Sequence, residues 1–294
     1  MRIANDAATA TAVVRGEVRQ PAAPPTVIAP GRGLFDLDLA AVWRHRELLY
    51  FFVWRDLRVR HKQTIVGMGW AILQPFLTMI VLTVVFGRFV GVPSEGWPYS
   101  VFVYCALVPW TVFAQAFTSA STTMLGDPSL ITKVYFPRLL IPVAAVVRPL
   151  VESVYSLVVL LAMLAWYGIV PGWRVVTLPV LLMLAVVAAL AVGLWLAALH
   201  VRYRDVGHVL PLVVQLWMFA SPVAYPARLV PEGWRAVYAL NPMVGVIEGF
   251  RWALLGGPAP DVRTLALGMS VMAVVLIAGA VFFRRMERTF ADVL

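Results

Sequence analysis

The stretch Leu125-Gly-Asp-Pro-Ser-Leu-Ile-Thr-Lys-Val-Tyr-Phe-Pro-Arg138 carries the most specific local chemistry in this chain. Asp127 is a good helix N-cap, Pro128 suits the first helical position, and Pro137 stops the helix. The spacing predicts a helix of about two turns, at the usual ~3.6 residues per turn. Leu130, Ile131 and Val134 would share one side. Most short loop helices are plain capped connectors. Here Tyr135 and Phe136 stand beside Lys133 and Arg138, and aromatics next to cations suit docking a partner better than facing water. A second polar cluster, His200-Val-Arg-Tyr-Arg-Asp205, makes a compact charged turn from Arg202, Arg204 and Asp205. Arginines after an apolar run ordinarily do no more than fix topology.

Arg148 and Glu152 stand one helical turn apart within apolar surroundings. Charges there are costly, so they pair or line a pathway. A self-satisfied i,i+4 ion pair explains them better than a proton relay, since no further acid and no histidine lies in any apolar run. Aromatic residues are abundant, with 11 Trp, 9 Tyr and 15 Phe. Trp110, Phe113, Phe117, Trp217 and Phe219 fall inside or at the edges of apolar runs and could line a conduit. Aromatic faces pack against the C–H faces of sugars without tight hydrogen-bond traps. Taken singly, each is most simply lipid-facing or core packing; Trp97 and Trp173 suit the aromatic belts of a membrane.

Catalytic and cofactor motifs are missing. No G-x-x-x-x-G-K-[ST] loop is present to cradle nucleotide phosphates, and neither a zinc pair nor a G-x-S-x-G elbow occurs. The four histidines, His45, His61, His200 and His208, lie near predicted cytoplasmic edges. The single cysteine, Cys105, sits in an apolar run and reads as packing. No catalytic residue, metal site or cofactor is expected on this chain.

The elements that must position these residues are membrane helices. Of 294 residues, 61% are hydrophobic and 13% charged, and the mean hydropathy is +0.84. Apolar runs recur at 65–86, 101–118, 150–166, 175–199, 211–223 and 265–283. A helix needs about 20 such residues to cross a bilayer core, where stray backbone amides find no water. The expected fold is all-α: a polytopic membrane protein with six transmembrane helices. Residues 39–57 read as an amphipathic helix lying in the interface, with Asp38 as N-cap. Leu39, Val42, Trp43, Tyr50, Val53, Trp54 and Leu57 form its apolar side, and Arg44, Arg46, Glu47, Arg55, Asp56 and Arg58 the other.

The net charge of +9 marks cytoplasmic flanks and anionic headgroups, not nucleic acid, because no soluble basic domain exists to bind it. Basic residues cluster before the first run (Arg55, Arg58, Arg60, Lys62), after the second (Lys133, Arg138), after the fourth (Arg202, Arg204) and after the last (Arg284, Arg285, Arg288). The alternation puts both termini in the cytoplasm. Between the fifth and sixth runs, residues 242–255 predict a short helix started by Asn241 and stopped by Gly256-Gly257-Pro258. At about 14 residues it cannot cross a ~30 Å layer, and it carries Glu248 and Arg251. It reads as a re-entrant or external helix. The organisation is then a disordered tail (1–35), a cytoplasmic interface helix (36–62), a permease domain (63–288) and a short cytoplasmic tail (289–294).

Several motifs, in order, resemble one known family. They are Tyr50-Phe-Phe-Val-Trp-Arg-Asp-Leu-Arg-Val-Arg-His-Lys-Gln-Thr64, Gly69-Trp-Ala-Ile-Leu-Gln-Pro75, Leu130 to Arg138, Tyr203-Arg-Asp205, Gln215-Leu-Trp-Met-Phe-Ala-Ser-Pro-Val-Ala-Tyr-Pro226, Leu240-Asn-Pro-Met243 and Glu248-Gly-Phe-Arg251. The series resembles the permease subunit of ABC-type polysaccharide and polyol-phosphate exporters, the group that exports O-antigen, capsule and teichoic acid. The resemblance covers about residues 37–288. It implies a homodimer forming a conduit for a lipid-linked glycan in the bacterial inner membrane. A dimer of a separate ATPase subunit, holding ATP and magnesium, would sit on the cytoplasmic side. By position it assigns ATPase coupling to Asp127, Pro128, Lys133, Tyr135, Phe136, Arg138, Arg204 and Asp205. Trp110, Phe113, Phe117, Trp217, Phe219 and Tyr225 become conduit candidates, and residues 224–255 the external gate.

Three other readings compete. An ABC permease for drugs or small lipids would share the span pattern. A membrane-bound glycan-modifying enzyme would need convergent acids or histidines, which are absent. A secondary transporter would show two related halves with interrupted helices, and no such repeat is visible.

Overall fold

The computed structural model describes residues 44–62, 69–126, 136–287 and 290. Every regular element among them is helical. The order is α1 (Arg46–Lys62), α2 (Gly69–Leu82, running on as π-helix over Thr83–Val90), α3 (Tyr99–Gly126), α4 (Leu140–Ala145), α5 (Val147–Trp166) and α6 (Leu178–Arg202, after a 3-10 turn at Trp173–Thr177). Then come α7 (Val206–Phe219), a 3-10 turn (Ala227–Leu229), α8 (Glu232–Ala239), α9 (Pro242–Leu255) and α10 (Val262–Glu287).

Five helical stretches are long and apolar enough to cross a membrane: Gly69–Val90, Tyr99–Leu125, Leu140–Trp166, Trp173–Arg202 and Val262–Glu287. The third begins about ten residues earlier than the sequence suggested, through α4 and a break at Val146, so Arg148 and Glu152 fall inside it. The remaining expected crossing, 211–223, is the 14-residue α7. By length alone it falls below the other five: at ~1.5 Å per residue it reaches about 21 Å, and the buried, non-helical Ser221–Ala224 carries the path on from its end.

α3 is the axis of the bundle. In its apolar window 78% of residues are buried, against 17% for α2. α6, α5, α9, α4, α2 and α7 all pack on it. Its interior is aromatic and aliphatic, with Phe102, Tyr104, Leu107, Phe113 and Phe117 fully enclosed. Because lipid is as apolar as leucine, helices in a membrane associate through close packing of small residues. The α3–α6 seam follows that rule: a Cβ on Gly193 would lie 2.7 Å from that of Ala120. On the other side of α6, Gly279 of α10 makes room for the Trp195 indole, which donates from Nε1 to the Val275 carbonyl at 3.1 Å.

α1 buries a different stripe from the one its periodicity suggested. Phe52 is enclosed, with Leu48, Leu49 and Val53 beside it, against Phe136, Leu140 and Ala144. Tyr50 and Trp54 point outward, 71% and 49% exposed, and Arg58 lies 5.2 Å from the Trp54 ring centre. Aromatics left outward beside an arginine suit a helix at the membrane surface. The expected N-terminal part of that helix, with Asp38, Leu39, Val42 and Trp43, lies outside the described residues, as do the two terminal tails apart from Phe290.

Candidate functional site

Two polar constructions lie at opposite ends of the bundle. The first surrounds Ala220-Ser-Pro-Val-Ala-Tyr-Pro226. Ser221 to Ala224 are buried without being helical, so their carbonyls need donors from elsewhere. Arg251 of α9, 3% exposed, donates from Nη2 to Val223 O at 3.0 Å and from Nη1 to Tyr225 O at 3.4 Å. Its Nη1 also meets Glu248 Oε1 at 3.1 Å, and its guanidinium carbon sits 3.6 Å from the Phe102 ring centre. The carbonyl between these two, Ala224 O, accepts from the Tyr99 hydroxyl. Three successive carbonyls are thus held by two side chains from distant helices. Gly87, in the π-helical turn, makes that possible: a Cβ there would stand 2.8 Å from the Tyr99 ring.

Asn241 ties the same segment from below. Its Oδ1 accepts from Met243 N at 3.1 Å, capping α9, and from Trp217 Nε1 at 3.1 Å. Its Nδ2 donates to Ser221 Oγ at 2.9 Å and to Ala220 O at 3.2 Å. Tyr225, a predicted conduit residue, donates its hydroxyl to Phe219 O at 2.9 Å and accepts from Tyr238 Oη at 3.3 Å. Burial, reinforced by that bond, pushes the Tyr238 phenol well above its ordinary range. Phe219 itself is 47% exposed.

Four other predicted conduit aromatics form one packed stack inside the chain. Trp110 meets Phe113 at 5.3 Å between ring centres, Phe113 stacks on Phe117 at 6.0 Å, and Trp217 meets these two edge-on at 4.8 and 5.9 Å. Arg148 and Glu152 form an ion pair at 3.7 Å, and Arg148 Nη2 also donates to Ser119 Oγ of α3 at 2.9 Å.

The second construction, at the arginine-rich end, receives the chain as it leaves the 127–135 stretch. Asp127, Pro128, Lys133 and Tyr135 lie outside the described residues. Phe136 is buried, its ring 5.6 Å from that of Phe52. Past Pro137, Arg138 binds the end of α10: its backbone N–H donates to Glu287 Oε1 at 3.2 Å and its Nη1 to Glu287 O at 2.8 Å. Glu287 also faces Arg284 at 3.8 Å. Arg204 and Asp205 are exposed on the turn between α6 and α7, and among the described residues no hydrogen bond or ion pair joins them to Phe136 or Arg138. His200, which sequence reasoning passed over, is buried; its Nδ1 lies 3.1 Å from Ser121 O on α3, and Gly207 leaves room for its ring.

Among the described residues, these groups hold backbone and helix ends together. The chain is a helical bundle whose two ends are held by different bonds. Residues 47–255 match the ABC-2 type transporter family. The chain belongs to that family. It is a multi-pass membrane protein and a transporter, not an enzyme. Among its relatives, the O-antigen export system permease protein RfbA of Myxococcus xanthus is 31% identical over 253 residues, 85% of this chain and 96% of the relative. The protein of the same name from Klebsiella pneumoniae is 24% identical over 84% of this chain and 95% of its own length. The polysialic acid transport protein KpsM of Escherichia coli is 23% identical over 79% and 91%.

Proposed function

We propose that this chain is the transmembrane subunit of an ATP-driven exporter of a surface polysaccharide, acting in the bacterial inner membrane with both termini in the cytoplasm. The observation that carries this reading is the end-to-end similarity to an O-antigen export permease, over 96% of that relative. Similarity to a polysialic acid transporter supports a glycan polymer in preference to a drug or small lipid. The cargo is a lipid-linked glycan or polyol-phosphate polymer, and no cofactor resides on this chain.

The motor is a separate ATPase dimer, carrying ATP and magnesium, docked at the arginine-rich end. Asp127, Pro128, Lys133, Tyr135, Phe136, Arg138, Arg204 and Asp205 receive its motion. Arg138 passes that motion to α10 through Glu287, while Phe136 passes it to α1. The pathway runs between two copies of the chain. α2 is barely covered, and α7 buries only Leu210 while Val209, Leu212, Leu216 and Phe219 face outward; these two helices supply the seam. Opening the conduit then requires Ala220–Pro226 to move, which places Phe219 and Tyr225 at the outlet. Trp110, Phe113, Phe117 and Trp217 stand behind them and are exposed to sugar when the stack opens. Binding must stay weak enough for each unit to leave.

The test is deletion of the gene followed by complementation. Loss of surface polymer with accumulation of lipid-linked polymer inside the cell is the expected result, restored by the intact chain. A Tyr135→Ala, Phe136→Ala chain should insert normally and fail to restore export. Unchanged surface polymer in the deletion strain would refute the reading.

A further inference from the structure

An open cleft of about 970 Å³ lies between the loop joining α2 to α3 and the loop after α9, lined by Ser94, Glu95, Trp97, Arg228, Glu248 and the Gly256-Gly257-Pro258 turn, among others. Its volume is in the ~300–1,000 Å³ range of small-molecule sites. Three features mark it as built. Glu95 has φ of +58°, in the left-handed region that residues other than glycine rarely adopt; such strain gathers at ligand clamps. The turn is held by Ser94 Oγ donating to Trp97 O. Gly96 and Gly256 have open space where a side chain would stand, leaving backbone groups approachable.

Each carboxylate of the cleft is already paired, one of them to an arginine behind the wall. Glu95 Oε1 meets the Arg228 Nε at 3.2 Å, and Glu248 Oε1 meets Arg251 Nη1 at 3.1 Å. With Glu95 and Glu248 both engaged by guanidiniums, neither is a free charge for a cation to neutralise, and two acids in the lining disfavour a phosphate. A carboxylate offers about four lone-pair sites, so both acids can still accept from hydroxyl donors. With an indole alongside, this is the chemistry that grips a neutral polyol ring: acceptors for its hydroxyls and an aromatic body for its C–H face.

We propose that this cleft holds a neutral saccharide unit of the exported polymer as it emerges; the proposal rests on the polysaccharide reading above. Because Glu248 belongs both to the cleft and to the Arg251 cluster, a bound sugar sits one bond away from the group that holds Val223 and Tyr225. The cleft is an exit subsite next to the closure.

A reporter thiol tests it. Cys105, the natural cysteine, is fully buried, and a Cβ at Gly257 meets nothing closer than Arg251 O at 3.9 Å, so Gly257→Cys adds an accessible thiol without strain. The full chain, purified with whatever subunit accompanies it and placed in lipid nanodiscs, is labelled with a hydrophilic maleimide. Polysaccharide isolated from the producing cells is the probe and sodium polyphosphate the charged control. The polysaccharide should slow labelling, and polyphosphate should not. Adding Glu95→Gln and Trp97→Ala should raise the half-protecting concentration by about tenfold, one decade of dissociation constant. Equal protection by polyphosphate, protection that survives the double substitution, or no protection at all would overturn the proposal. The deletion strain judges the export reading separately: lost surface polymer with an unprotected thiol rejects the cleft alone.

Discussion

Two arginines hold the two ends of this molecule, and they do it differently. Arg251 is almost wholly enclosed and spends its donors on backbone carbonyls of a buried, non-helical segment, with one carboxylate and one aromatic face completing its surroundings. Arg138 is half-buried and, among the described residues, its hydrogen bonds go to Glu287 at the end of one helix. A buried cation whose partners are all protein groups is expensive to separate from any one of them, because nothing else can replace it. A half-buried one can exchange its bonds with water. The first end is therefore the costlier of the two to separate, and under the proposed function it would be the one that yields as a unit. That is the division of labour expected between an outlet and a coupling joint.

The comparison breaks most visibly at Arg251. Arg251→Ala leaves Glu248 half-buried without its cation and two carbonyls without donors, a loss of about 3–5 kcal/mol by the behaviour of broken buried pairs. A large fall in unfolding temperature in nanodiscs, with surface polymer lost, is the expected outcome. Arg251→Lys keeps charge but not the forked geometry, and should recover only part of it.

Asn241→Ala removes a helix cap, worth roughly 0.5–2 kcal/mol, together with the bonds to Trp217, Ser221 and Ala220. Asn241→Asp sharpens the result. It keeps the acceptor for Met243 and Trp217 and loses the donors to Ser221 and Ala220, so its stability should fall between those of Ala and the native chain in the same thermal measurement.

At the other end the effect on stability is smaller, and function should fall without loss of the fold. Glu287→Gln weakens a charge-assisted contact at a part-buried site, about 1 kcal/mol. The unfolding temperature should move by only a few degrees at most. Export measured as surface polymer should nevertheless fall, with chain abundance in the membrane unchanged. An equal loss of abundance would show that the contact only holds the fold.

Much of the bundle is legible in the residues. Apolar runs gave five of the crossings, and Asn241, Pro242 and Gly256 bound the short α9 at the observed ends, because caps and stops act within a few residues. The α7 run was placed about five residues late at its start and four too far at its end, since the turn at Ala220–Pro226 is stabilised by groups far off in sequence: Tyr99 reaches Ala224 across 125 positions and Arg251 reaches Val223 across 28. Periodicity carries no such information. The inward stripe of α1 was missed for the same reason, because Phe52 is chosen by Phe136 and Leu140, not by its neighbours in the helix. Glu248 and Arg251 were visible as charges in a short helix, yet only the fold shows what the arginine holds. Of the predicted coupling residues, Phe136 and Arg138 can be placed against α1 and α10, whereas Asp127, Pro128, Lys133 and Tyr135 lie outside the described residues.

The most direct test of a passive pathway driven by a separate motor is polymer movement in reconstituted vesicles. Inside-out vesicles carrying the chain together with its ATPase subunit should accumulate lipid-linked polymer when ATP is added. Vesicles carrying either protein alone should accumulate none. Nucleotide hydrolysis or uphill polymer uptake by the chain on its own would contradict the account.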